Sequence, residues 1–552
     1  MYTDFILTNI PRILTQVDRD NYSKTYGSCD RNYWHLKIRD FSSAILQQTC
    51  LTIALLYTTE FEGNVYYRNH NIREWSIACL RYMKMIQLKD GSFNEYYPNE
   101  HGFPPTAFNL FSGCRTYLEL GLEDESIKKT LEKAAAWLCS HSEKRAYNQE
   151  WAAIAGLYLY YRISEDESVL SVINKKVSEI LAVQSEEGWF PEQGGADIGY
   201  SSVALDMMSE YYWFSKDQKV LEPMLRLTKF LSNFIHPDGT TGGEYGSRNT
   251  IYFMPNGLET VLASGNDRDG IAGAMLHKIY GHSHLVCFMN AVDERYLSHY
   301  VMHSYLRALQ KYNGHNFYVP TAIPPCEQKC THIFKQSGLI VQSDGEIYLV
   351  IGLRKGGILK VYKGNKEIYW DCGYQIPIKP GITAATNWVD ASYSVSFEVE
   401  NDCYSVSGKF NKVKQKTQSP LNHLMLRVSA AIMGASVNKL IKKLTIFQDN
   451  HVNVGFLRTI HIENEKIFIE DTIDNPNQMD VYEASNVSLR LVASGKFFSK
   501  SDLIEHPQTD YGNAKQLIIK KTLDLQTGTV IITEAENGIK RSNPETKISK
   551  KI

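Results

Sequence analysis

EGWFPEQGGADIGY, residues 187–200, decides how the chain is read. It holds a Gly-marked turn, two aromatics, two acidic residues besides Glu187, a Gly pair, and Tyr200 just before a helical pattern resumes at Ser201. A loop of this length and composition between helices is where function concentrates. The same phrase recurs in outline as QLKDGSF around Gly91 and IHPDGTT around Gly239, and HSEKRAYN (His141 to Asn148) falls midway in the longer gap. The spacing is a repeat of about 50 residues, the signature of stacked helical hairpins. Between the loops, Phe41 to Tyr57, Ile72 to Gln87, Thr106 to Leu120, Ile127 to Ser140 and Glu150 to Tyr161 place apolar residues three and four apart, the helical period. Five or six such hairpins predict a closed or nearly closed α/α toroid, with the Gly loops on one rim around a cleft.

Pro320, Pro324 and Pro325 break the helical pattern. Beyond them the period becomes two: Ser392 to Phe410 reads as a hairpin turning at Asn401-Asp402, and Leu444 to Ile473 as another turning near Asn464. Many short strands predict antiparallel sheets stacked as a sandwich. The expected plan is a toroid over 1–312, a linker over 313–335, a β-sandwich over 336–538 and a polar tail over 539–552.

With 552 residues the chain exceeds what one core serves. The balance of 59 basic and 61 acidic residues argues against a general nucleic-acid binder. Aromatics at 12%, including 34 tyrosines, suit core packing and equally a cleft that stacks on sugar rings. No signal-peptide pattern opens the chain and no run of about 20 apolar residues suggests a membrane span. The ten cysteines are scattered, with Cys50, Cys79, Cys139 and Cys287 in apolar helical stretches. They read as reduced buried thiols, so a cytoplasmic location is expected.

A helical toroid followed by a sandwich, with these loops, resembles the heparinase II/III-like polysaccharide lyases, including the related alginate lyases. In that family an asparagine opens an inner helix, and a loop ending in Gly-Tyr follows some fifty residues later. The matching positions are Asn148 in AYNQEWAAIAGLYLYY and Tyr200. The resemblance implies β-elimination from a uronic-acid glycan. An amide and a cation neutralise the uronate carboxylate, and a tyrosine takes the C5 proton or protonates the leaving oxygen. Arg248, in GGEYGSRNTIYF with Tyr245 and Tyr252 beside it, is the expected cation; it could instead pair with Glu244 or Glu259, and Asn148 could instead be a helix cap. The family's histidines are missing here: Gln149 follows Asn148, and GLRKGGILKVY, with Lys355, stands where a His-rich turn is expected. His332 and His101 are the histidines that could take that place. Trp189, Glu192, Trp34 and Arg31 complete the expected substrate contacts, the last two because RNYWHLKIRD sets aromatics beside cations. His282, His284, the pair His299 and His303, and Cys326 with Cys330 and His332 lack a full metal-ligand pattern, so no metal and no cofactor is expected. Three alternatives stay open. They are a C5-epimerase, a glycoside hydrolase using two of Glu95, Glu192, Asp197 and Glu244, and a non-catalytic glycan-binding homologue.

Overall fold

A computed structural model describes residues 2–281, 292–312, 314, 322–414, 419–434, 436–437, 451–485, 498, 500–503 and 509–536. The helical part begins with α1 (Tyr2–Leu14), ahead of where the sequence pattern starts, and the short α2 (Arg31–Trp34). Helices α3 (Thr49–Thr58), α4 (His70–Ile86), α5 (Phe103–Glu119), α6 (Glu125–Ser140), α7 (Tyr147–Ser164), α8 (Glu167–Leu181), α9 (Ile198–Ser215), α10 (Leu221–Ser232), α11 (Asn256–Ala263), α12 (Ile271–Tyr280) and α13 (Met302–Lys311) follow. Alternate helices line the inside. α3, α5, α7, α9, α11 and α13 pack each on the next, and α13 packs back on α3.

The sequence explains which helices lie inside. In α3, α7 and α9 apolar residues surround the whole helix, so that only Arg162 among their residues is exposed, whereas α4, α6, α8 and α10 bury one face only. Close approach of inner helices needs small residues. A Cβ on Gly156 of α7 would meet the Phe111 backbone nitrogen of α5 at 2.8 Å. The repeated loop glycines all serve the same contact. Gly91, Gly188 and Gly239 have φ of 95°, 102° and 81°. Each turns its bare Cα onto a backbone carbonyl of an outer helix, at Lys133, Arg226 and Lys278. Only glycine gives both that conformation and that contact.

The ring is closed on its axis by buried charge. Asp206 and Glu210 of α9 face Arg307 and Lys311 of α13, with Arg307–Asp206 at 2.7 Å and Arg307–Glu210 at 3.5 Å. Lys311 also donates to Glu210 and to Asn256 of α11. Burial pushes the Glu210 carboxyl up, but Lys311, Arg307 and Arg115 outweigh it and hold it well below the ordinary range.

Two antiparallel sheets follow. Strands β1 (Lys329–Phe334), β2 (Leu339–Asp344), β3 (Ile347–Gly352), β4 (Ile358–Lys363) and β5 (Lys366–Asp371) form a five-stranded meander in chain order. β1 therefore falls inside the stretch read from sequence as a linker. β6 (Tyr374–Lys379), β7 (Ile382–Ala385), β8 (Ser394–Glu398), β9 (Cys403–Lys414), β10 (His451–Glu463), β11 (Lys466–Asp474), β12 (Tyr482–Glu483), β13 (Gln516–Asp524) and β14 (Val530–Glu536) build the second. Its order is β12-β6-β7-β9-β10-β11-β13-β14, with β8 on β9. Both expected hairpins are present, β8–β9 and β10–β11; residues 444–450 of the second lie outside the described residues.

The first sheet is buried on both faces. Ile340, Leu349, Ile351 and Val361 pack on the second sheet, with Val406, Ile460, Ile469 and Ile519. Val341, Tyr348, Val350 and Tyr362 join the core of the toroid. That is why EIYLVIG and GILKVY are nearly continuous apolar runs, while β10 and β11 alternate. The sandwich region also holds α14 (Pro420–Met433), capped by Ser419, whose side chain accepts from Asn422 N, with Pro420 at the first turn. Arg427 of α14 reaches Asp40 of the toroid.

Candidate active site

Three loops of the rim are tied together around the start of α9. Asp197 caps that helix: one oxygen accepts from Tyr200 N at 3.2 Å and also from the Thr250 hydroxyl, and the other accepts from Arg248 N at 2.8 Å. Ser247 donates its hydroxyl to the Glu192 carbonyl at 2.6 Å and its backbone N–H to the Ala196 carbonyl at 2.8 Å. Gln193 N donates to the Arg145 carbonyl at 2.7 Å. The loops carrying Asn148, Glu192–Tyr200 and Arg248 are thus bonded to one another.

Asn148 is the second residue of α7 and not its cap, which is Ala146. Its backbone N–H and its Nδ2 donate to the two oxygens of Glu192, each at 2.7 Å. Burial pushes the Glu192 carboxyl well above its ordinary range, Asn148 opposes that, and Asp197 adds to it. Glu192 and Asn148 are both buried, and since both Glu192 oxygens accept from Asn148, Glu192 orients the amide. An amide carries two N–H donors, and Glu192 fixes the plane in which the second lies.

Tyr200 and Arg248 are both half-buried. The Arg248 guanidinium donates to the neutral Gln193 Oε1 at 3.1 Å. Among the described residues it forms no ion pair: Glu244 pairs with Lys360 at 3.2 Å, and Glu259 accepts from the Tyr2 hydroxyl at 2.7 Å. Burial pushes the Arg248 pKa down, while Tyr200, Asp197 and Glu192 pull it up. The Tyr200 ring stands edge-on to Tyr252 at 6.2 Å, Tyr252 to Tyr300 at 6.1 Å, and Tyr300 to Tyr296 at 6.3 Å. Arg295 pairs with Glu95 at 3.0 Å and lies 5.9 Å from the ring of Tyr96, whose pKa is raised first by Glu95 and then by burial, with Tyr200 a smaller contributor.

The other expected residues are elsewhere. His332 is on β1, stacked beside Phe334 at 6.2 Å, and its pKa is lowered by burial and by Lys229 of the outer helix α10. Its strand holds it among the neighbours of an outer helix, so it does not join the groups around Tyr200. His101 Nδ1 donates to Asp90 Oδ2 (2.6 Å) and lies 3.0 Å from Ser92 Oγ on its own loop. Tyr245 is buried against the first sheet, its hydroxyl 2.9 Å from His236 Nε2. Trp189 is buried, with Nε1 donating to Glu187 at 2.8 Å, and Glu187 in turn accepts from the backbone of Ser337 at 3.0 Å. Trp34 Nε1 donates to the Gln16 carbonyl at 2.8 Å, and Arg31, half-buried on α2, acts electrostatically on Glu294.

His299 and His303 are buried and bonded to backbone carbonyls, at Arg295 and His299. His282 and His284 lie outside the described residues. Among the described residues no three His, Cys, Asp or Glu side chains are grouped to hold a metal, and no helix is long and apolar enough to cross a membrane. Cys50 and Cys79 are buried free thiols and Cys139 is half-buried; Cys287 lies outside the described residues.

Asp197, Glu95–Arg295, Tyr96 and Tyr300 were not expected as a set around Tyr200. Asp197 had a signal, an aspartate three residues before Tyr200 at a helix start; the rest meet only through folding.

Neither a protein-family model nor a curated protein sequence matches the chain. Solved structures do, through their fold. Paenibacillus xanthan lyase aligns over 87% of this chain and 46% of its own, with 10% identity and a TM-score of 0.51. The Streptomyces coelicolor A3 chondroitin AC lyase in complex with chondroitin sulphate aligns over 87% of this chain and 71% of its own, with 9% identity and a TM-score of 0.52. Heparinase III aligns over 86% of this chain and 76% of its own, with 10% identity and a TM-score of 0.45. The chain thus spans about half the length of the xanthan lyase. Its fold is the helical toroid with antiparallel sheets that the two lyases with TM-scores above 0.5 share.

Proposed function

We propose that the chain cleaves a uronic-acid-containing polysaccharide by β-elimination at the mouth of the toroid. The observation that carries the proposal is the cluster of Asn148, Tyr200 and Arg248 on loops bound to one another, with the Arg248 cation bonded to neutral Gln193. Such a cation is placed to receive an anion. The fold shared with xanthan and chondroitin AC lyases adds support.

The chemistry follows from the side chains. The C5 proton of a uronate is acidic only if the adjacent carboxylate is neutralised. Arg248 and the second amide hydrogen of Asn148 supply that, acting where charge develops. Tyr200 accepts the C5 proton; a phenol titrates near about 10, and the Arg248 charge favours its phenolate. The electron pair of the C–H bond forms the C4–C5 double bond, the C4–O4 bond breaks, and the leaving oxygen takes a proton from Tyr200. Tyr200 thus serves as base and then acid on one face of the sugar, which needs no histidine.

Hydrolysis is the poorer fit. It requires two carboxyl groups facing the glycosidic bond across open space. Glu192 is bound to Asn148, Glu95 to Arg295, Glu244 to Lys360, and Asp197 to Thr250 and the Arg248 backbone, all four buried.

The test is ultraviolet absorbance during digestion of a panel of uronate polysaccharides by wild type and Tyr200→Phe. Chondroitin sulphate, bound by the Streptomyces lyase, belongs in the panel. Rising absorbance from the unsaturated product, lost in the variant, is expected. Deuterium uptake at C5 without cleavage would point to an epimerase, and binding without either to a glycan-binding protein.

A further inference from the structure

Lys355 lies in the tight turn Leu353–Lys355 between β3 and β4. Its side chain leaves the sheet, enters the loop that carries Arg248 and is 5% exposed. Nζ donates to the Gly246 carbonyl and to Asn249 Oδ1. These acceptors bracket Arg248, one two residues before it and the other directly after. The loop needs such a hold. Asn249 takes a left-handed φ of 58°, a conformation that costs a non-glycine residue energy unless its surroundings impose it. The end of β3 supports the same loop, since a Cβ on Gly352 would come within 3.1 Å of Tyr245 Cβ.

We infer that Lys355 is a positioning residue through which the sheet domain fixes the Gly246–Asn249 turn and so aims the Arg248 guanidinium at the substrate carboxylate. The inference rests on the proposed elimination. Other contacts between toroid and sheets fall outside the turn: Tyr348 donates to the Asn233 carbonyl, and Lys360 pairs with Glu244, two residues before Gly246 on the same loop. Adhesion alone would be served as well by an apolar side chain, without the cost of desolvating an ammonium. Asp197, Glu244, Cys372 and Arg248 are the titratable groups that act on Lys355. Burial lowers its pKa to about 8, Asp197 and Glu244 pull upward, and Arg248 pushes down.

Hydrogen exchange of the backbone over 242–250, with kcat and KM, tests this in Lys355→Met, Lys355→Arg and Asn249→Ala. Lys355→Met should raise exchange in that loop alone and lower kcat on the order of 10- to 100-fold, the cost of misplacing a catalytic group by about 1 Å. KM should change far less, and Lys355→Arg should recover part of both effects. If Lys355→Met does not fold, Asn249→Ala removes one acceptor with the lysine in place and should show the same local rise, smaller. Wild-type exchange in the folded variants would overturn the inference. So would a rise spread evenly over β2–β4 and α9, which marks a general domain lock. If wild type forms no unsaturated product, the elimination reading fails by itself, while exchange still judges the Lys355 contact.

Discussion

Helix α9 carries two polar clusters, one at each end, and they are built differently. Asp206 and Glu210, toward its C-terminal half, meet the cations Arg307 and Lys311, so each carboxylate has an ion-pair partner. At the N-terminal end Glu192 is answered by an amide and Arg248 by another amide. Both ends are buried enough for electrostatics to be strong. Closed charge makes a strut; the proposed function takes the cation left with a neutral partner as a receptor for an anion.

The contrast can be broken by mutation. Arg307→Met leaves Asp206 and Glu210 buried beside fewer cations and should cost about 3–5 kcal/mol of stability, read by urea unfolding, with the folded fraction keeping its kcat. Arg248→Met should do the reverse. kcat/KM should fall about 10²–10³-fold, as for loss of one preorganised donor, with stability changed by less than about 1 kcal/mol. Should Arg248→Met unfold the protein, or Arg307→Met abolish turnover in folded protein, the two ends would not be distinct.

Finer tests follow. In Glu192→Gln one acceptor oxygen remains for two donors of Asn148; kcat should fall about 10-fold with a smaller change in KM, measured by steady-state kinetics. His303, in the strut, accepts at Nδ1 from Arg307 at 3.0 Å, and burial with Arg307 holds its pKa well below the usual value. The unfolded chain then binds the proton that the folded one refuses. Stability from this group is complete above about pH 6.5 and falls by about 1.4 kcal/mol per pH unit below it. Unfolding measured at pH 7.0 and 5.5 should show a shallower decline in His303→Gln than in wild type.

The receptor end was partly legible in the chain and the strut was not. Helical period, Gly loops and the distance from Asn148 to Tyr200 are local features that survive in the order of residues. The glycines repeat because each meets an outer-helix carbonyl, so the repeat recorded a packing rule. What joins Asp206 to Arg307, or Asn148 to Glu192, is tertiary, and leaves no spacing to read. His332 misled because a strand, not a linker, holds it beside α10. α14 was readable, since PLNHLMLRVSAAIM follows a Ser cap and opens on Pro, but the surrounding period of two masked it. Trp34 and Trp189 show that an aromatic beside charges can simply satisfy its own N–H, at Gln16 and Glu187.

The most direct test of elimination is the mass of the products formed from a uronate oligosaccharide in water enriched in heavy oxygen. Elimination takes nothing from solvent into the new ends, so the fragment from the non-reducing side of the cut should carry no heavy oxygen, and its partner should be an unsaturated sugar one water lighter than the hydrolytic fragment. A saturated pair of fragments, one of them bearing heavy oxygen at the new reducing end, would contradict the account.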